Sequence, residues 1–173
     1  MQLRATTPQE ILLPVRPSFI VITLIAALLL NFLPWSGFWI WIKPDFVALV
    51  VLYWCIEQPR KIGFTSAWLL GLMMDVADGS LFGQHALAYS ILAYAGIVLH
   101  RRVQMFTLTP QVVHVVLLLL FNDFIVLIIR MLAGGDFPGY SYFFGSLVAG
   151  ALWPPLSVLL KLPQHPKSDP DHG

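Results

Sequence analysis

Four stretches of this chain run without a single Asp, Glu, Lys or Arg: Pro17 to Ile42, Gly79 to Leu99, Val103 to Asn122 and Phe137 to Leu160. About 20 helical residues cover the ~30 Å hydrocarbon core of a bilayer, so each stretch is long enough to cross. Two shorter apolar runs, Phe46 to Ile56 and Ile62 to Met74, lie between the first and second of these. They can cross only if packed among other helices, flanked by interfacial residues or set in locally thinned lipid. Hydrophobic residues make up 58% of the chain and charged ones 11%, where a soluble domain carries about 25% charged. A single soluble domain of 173 residues cannot hide that much apolar surface. The expected fold is all-α: a polytopic transmembrane helix bundle of about six spans.

The punctuation divides the chain into helices over roughly 17–35, 44–58, 62–77, 82–100, 109–132 and 141–160. Pro17, Pro44 and Pro110 lie near helix starts, where a missing N–H costs nothing. Pro34-Trp35-Ser36-Gly37 ends the first span, and Asp78-Gly79-Ser80 makes a tight turn. Gly134-Gly135-Asp136-Phe137-Pro138-Gly139 is the loop richest in breakers. The first span reads as an uncleaved helix, since no small-residue cleavage site follows it and further spans do. Residues 1–16 and 161–173 are expected to be cytoplasmic tails without a core, on either side of a transmembrane domain over 17–160.

Orientation follows from the basic residues. With the N-terminus inside, Arg4, Arg16, Arg60, Lys61, Arg101, Arg102, Lys161 and Lys167 fall in the cytoplasm, and Lys43 and Arg130 outside. Deleting either short span would invert every later loop, so the bias supports both of them. Trp35, Phe38, Trp39 and Trp41, with Tyr140, Tyr142, Phe143 and Phe144, form an aromatic belt at the outer interface. The net charge of +1, with basic residues in ones and twos, gives no footprint for nucleic acid. The lone Cys55 cannot form an internal disulfide.

Ionisable residues within spans are costly and are functional candidates by default. Asp75 follows Gly71 by four residues, so the two share a helix face, and Gly71 permits close approach of a neighbour. Asp78 continues that face if the helix persists. Asp75 then serves a partner helix or a proton-coupled site, or it bonds a neighbouring helix within the bundle. Asp123 and Arg130 also share a face, but two turns, about 10 Å, separate them, so Asp123 needs another partner. Glu57 is expected to snorkel or pair beside Arg60 and Lys61. His85 and His114 have no Cys or carboxylate at useful spacing, so no metal or other cofactor is expected. Neither an H-E-x-x-H nor a G-x-S-x-G motif occurs, and there is no P-loop. The intramembrane aspartyl protease signature Gly-x-Gly-Asp is also missing, so no enzyme is expected.

Several ordered blocks carry a resemblance. They are Leu33-Pro34-Trp35, Lys43-Pro44-Asp45-Phe46-Val47, Leu52-Tyr53-Trp54, Pro59-Arg60-Lys61-Ile62-Gly63-Phe64 and Gly71-Leu72-Met73-Met74-Asp75. Gly79-Ser80-Leu81-Phe82-Gly83, Leu87-Ala88-Tyr89-Ser90-Ile91-Leu92-Ala93-Tyr94 and Gly150-Ala151-Leu152-Trp153-Pro154 complete them. In order and spacing, over about residues 17–160, the chain resembles the MreD family of rod shape-determining membrane proteins. The resemblance implies a non-catalytic subunit of the cell-elongation complex in the bacterial inner membrane. Its implied partners are MreC, MreB, and RodA with its transpeptidase. Asp75, Gly71, Asp78, Asp123 and Arg130 are the candidate partner-binding residues. The family also resembles substrate-binding membrane subunits of vitamin transporters. This keeps open a small-molecule transporter, whose cavity would be lined by Asp75, Asp123, Asn122 or His114.

Overall fold

A computed structural model describes residues 15–37 and 42–164. The belt residues Phe38, Trp39 and Trp41, and the expected tails over 1–14 and 165–173, lie outside the described residues. Six α-helices make up the described chain, with no strand among the described residues. They are α1 (Pro17–Phe32), α2 (Phe46–Glu57), α3 (Phe64–Asp78), α4 (Gln84–Gln104), α5 (Leu108–Leu132) and α6 (Phe144–Lys161).

The ends differ from the sequence expectations for local reasons. α1 stops at Phe32, three residues early: Leu33 precedes Pro34 and is held at ψ 136° by the clash that bars helical backbone before proline. α2 begins at Phe46 because Asp45 caps it, its carboxylate accepting from Ala48 N at 3.0 Å. Gly79, at φ 58°, ends α3 in the left-handed conformation. α4 continues past His100, with Arg101 and Arg102 in its last turn, where positive charge suits the helix dipole. A 3-10 turn, Tyr140–Phe143, leads into α6, which runs through Pro154 and Pro155.

The shortest helix is the centre of the bundle. α2 rises only about 18 Å, yet Val47 through Ile56 are all buried. A helix apolar on every side belongs in an interior, and here α1, α4, α5 and α6 surround it. Tyr53 sits against both Trp54 and Trp153, with ring centroids 5.0 and 5.7 Å apart. Trp54 Nε1 donates to Thr23 Oγ1 of α1 at 2.9 Å. α3 packs chiefly on α4, and α5 lies between α4 and α6. Gly96 brings α4 onto α2: a Cβ there would meet Leu52 Cδ1 at 3.0 Å and Cys55 Cβ at 3.1 Å.

α5 and the helical stretch Tyr140–Gln164 are each long and apolar enough to cross a membrane; α1 and α2 are shorter apolar helices. The outer faces carry large apolar side chains in the open, such as Ile22, Leu29, Leu117, Phe124 and Leu159. A surface of that kind suits acyl chains far better than water.

Candidate functional site

The buried polar side chains collect mainly at one end of the bundle, where α1, α3 and α5 end and α2, α4 and α6 begin. Three carboxyl groups organise this end. Asp45 ties three helices together: besides capping α2, it accepts from Asn31 Nδ2 of α1 at 3.0 Å and from Tyr89 Oη of α4. Asn31 returns a bond, its Oδ1 accepting from Phe46 N at 3.1 Å. Lys43 Nζ donates to Asn31 O at 2.6 Å, placing a cation on the carbonyl end of α1.

Asp75, 1% exposed on α3, caps the next helix across the turn. Its carboxyl oxygens accept from Gly83 N and His85 N at 2.8 Å each, and from Ala86 N at 3.4 Å. Ser80 Oγ donates at 3.1 Å and His85 Nδ1 lies 2.9 Å away. The first N–H groups of a helix have no partner within it, and one buried carboxylate supplies several of those of α4. Gly71, one turn earlier, makes this possible: a Cβ there would lie 2.4 Å from Ala86 Cα. α3 persists through Asp78, whose Oδ2 is 4.0 Å from His85 Nε2.

Asp123, on α5, has different surroundings. It is 8% exposed and accepts from Ser146 Oγ of α6. Its neighbour Asn122 is 1% exposed, and the side-chain oxygen has no hydrogen-bond partner among the described residues. Both line a cavity of about 530 Å³ together with Lys43, Asp45, Asp78, His85, Arg130 and Tyr142. Gly145 lets α6 close on the chain entering α2: a Cβ there would stand 2.5 Å from the Lys43 carbonyl oxygen.

The structure thus brings Asp78, Asp123 and Arg130 to one cavity, while Gly71 and Asp75 face α4 just behind it. Asp123 and Arg130 form no ion pair among the described residues, in keeping with their spacing. His114 stands elsewhere, stacked on Phe106 and 2.8 Å from Pro110 O. One sequence expectation needs correction: His85 does have carboxylates beside it, because the α3–α4 turn folds back on itself. Glu57 pairs with Lys161 at 3.0 Å, since α6 ends beside α2, and Lys61 Nζ donates to Val15 O. Sequence reasoning also passed over Asn31, Lys43, Asp45, Tyr89 and Ser146 as site residues. Asp45 carried a local signal, standing after Pro44 at the head of an apolar run, as an N-cap does. The other four meet the site through contacts distant in sequence. Among the described residues, no group of three or more His, Cys, Asp or Glu could hold a metal ion.

The family model described as rod shape-determining protein MreD matches residues 15–162. A protein from Haemophilus influenzae, named rod shape-determining protein MreD, is 29% identical over 144 residues, which cover 83% of this chain and 86% of that protein. No solved structure matches.

Proposed function

The chain belongs to the MreD family of rod shape-determining proteins, and we propose that it is a non-catalytic, multi-pass subunit of the cell-elongation complex in the bacterial inner membrane. In this reading all six helices cross the bilayer, both termini lie in the cytoplasm, and the polar end faces the periplasm. The distribution of basic residues supports that orientation. The short α2 crosses because its neighbours, and not lipid, surround it.

One observation carries the subunit reading. α1 and α3 leave an apolar groove of about 390 Å³, lined from Pro17 to Leu28 on one side and from Lys61 to Met73 on the other. A chain with so little mass outside its helices must act through helix faces, and this groove suits one further apolar helix. The proposed occupant is the single transmembrane helix of MreC, which would link the bundle to MreB, RodA and its transpeptidase. Gly71 and Asp75 then act indirectly, by holding α3 in place, while Asp78, Asp123 and Arg130 meet whatever enters the cavity.

The test is a pull-down of MreC from detergent by wild type, Ile25→Trp, Met73→Trp and, on the far side, Phe121→Trp, at matched expression. Wild type and Phe121→Trp should retain MreC, and the two groove variants should lose it. Equal retention by all four would sink the groove. No retention by wild type would sink the MreC partnership itself. The polar cavity favours a second reading, in which the chain is a small-molecule transporter or substrate-binding membrane subunit.

A further inference from the structure

The 530 Å³ cavity is of small-molecule size, and its walls differ in chemistry. On α5, Asn122 is 1% exposed and its side-chain oxygen has no partner among the described residues. A buried acceptor at that depth is unfavourable until a donor reaches it. Asp123, next to it, adds a carboxyl group with the Ser146 hydroxyl as its hydrogen-bond donor among the described residues. Of the other carboxyl groups lining the cavity, Asp45 is occupied by Asn31, Ala48 and Tyr89, while Asp78 stands at the cavity's edge, 4.0 Å from His85 Nε2. The unmatched Asn122 oxygen and the Asp123 carboxyl therefore give this wall acceptors that a ligand donor can reach.

The same cavity also carries two cations, Lys43 and Arg130. Lys43 spends one N–H on Asn31 O, which leaves two for a ligand. Arg130 follows Asp123 by two helical turns, about 10 Å of rise. A simple cation would satisfy Asn122 and Asp123 but meet repulsion from Lys43 and Arg130. A simple anion would pair with the cations, leave Asn122 unmatched and face Asp123. A ligand carrying both charges meets every wall.

We propose that this cavity binds a small zwitterion, with a primary ammonium group on Asn122 and Asp123 and an acidic group, carboxylate or phosphate, on Lys43 and Arg130. Free amino acids and phosphoethanolamine share this chemistry with the headgroup of an aminophospholipid. The cavity lies at the helix ends, within reach of either source. The proposal stands apart from the MreC partnership, and neither depends on the other.

Thermal unfolding of the full chain tests it, first in lipid-free detergent with millimolar glycine, phosphoethanolamine, ethanolamine or inorganic phosphate. The second arm uses bilayer discs of phosphatidylglycerol with or without phosphatidylethanolamine. A zwitterion that binds the folded state raises the midpoint in proportion to its saturation. The expected result is a rise of several degrees with glycine or phosphoethanolamine, or with phosphatidylethanolamine, and little with ethanolamine or phosphate alone. A soluble response identifies a free solute; a response confined to the discs identifies the lipid. The rise should vanish in Asn122→Leu and in Asp123→Asn. The second variant preserves shape and keeps the test standing if the first does not fold. No rise in either arm overturns the proposal. So does a rise that survives in Asp123→Asn, or one that ethanolamine alone reproduces.

Discussion

Asp75 and Asp123 are both buried carboxyl groups on apolar helices, 1% and 8% exposed. Asp75 is surrounded by donors: three backbone N–H groups, a serine hydroxyl and an imidazole. Asp123 has one hydroxyl from Ser146 among the described residues, a neighbouring amide with an unmatched oxygen, and a cavity in front of it. The difference teaches that burial alone does not distinguish a structural acid from a functional one. Satisfaction does: a fully bonded carboxylate holds helices in register, whereas an under-bonded one beside a cavity is available to something else.

That contrast can be broken by experiment. The largest effect is expected from Asp75→Ala, which leaves several buried donors of α4 without an acceptor. The cost should be about 3 kcal/mol or more, read as loss of folded protein in size-exclusion chromatography and a much lower unfolding midpoint. Normal folding of that variant would refute the structural role. Gly71→Val comes next, because its Cβ would fall 2.4 Å from the Ala86 backbone; separating α3 from α4 should cost about 1–3 kcal/mol. Asp123→Asn should change stability by less than about 1 kcal/mol, because little in the fold depends on its charge. If it destabilises as much as Asp75→Ala, the two acids do the same work and the contrast collapses. The smallest effect belongs to Lys161→Gln, at the opposite end, where a partly exposed pair with Glu57 contributes about 0–1 kcal/mol.

Some of this site was legible in advance. The i, i+4 spacing of Gly71 and Asp75 announced close approach by a neighbouring helix, and α4 makes it. The seven-residue gap between Asp123 and Arg130 ruled out a direct pair, and none forms among the described residues. The His85 contacts were not legible, because ligand-spacing arguments assume neighbours along one helix, and Asp75 is ten residues away across a turn. Neither was the role of Asn31: a lone amide near the end of an apolar helix gives no hint that it will hold the start of the next one.

By itself the sequence determined the class of fold and most helix limits. Uncharged runs exceed what a soluble core can bury, and Pro34, Asp45 and Gly79 stop or start helices through backbone sterics and capping that act within a few residues. Tertiary structure decided which helix is central and which acid is satisfied. The shortest helix, α2, became the most buried one, because burial depends on what surrounds a helix. The fate of each carboxyl group likewise depends on donors brought in from elsewhere in the chain, and local sequence does not encode that convergence.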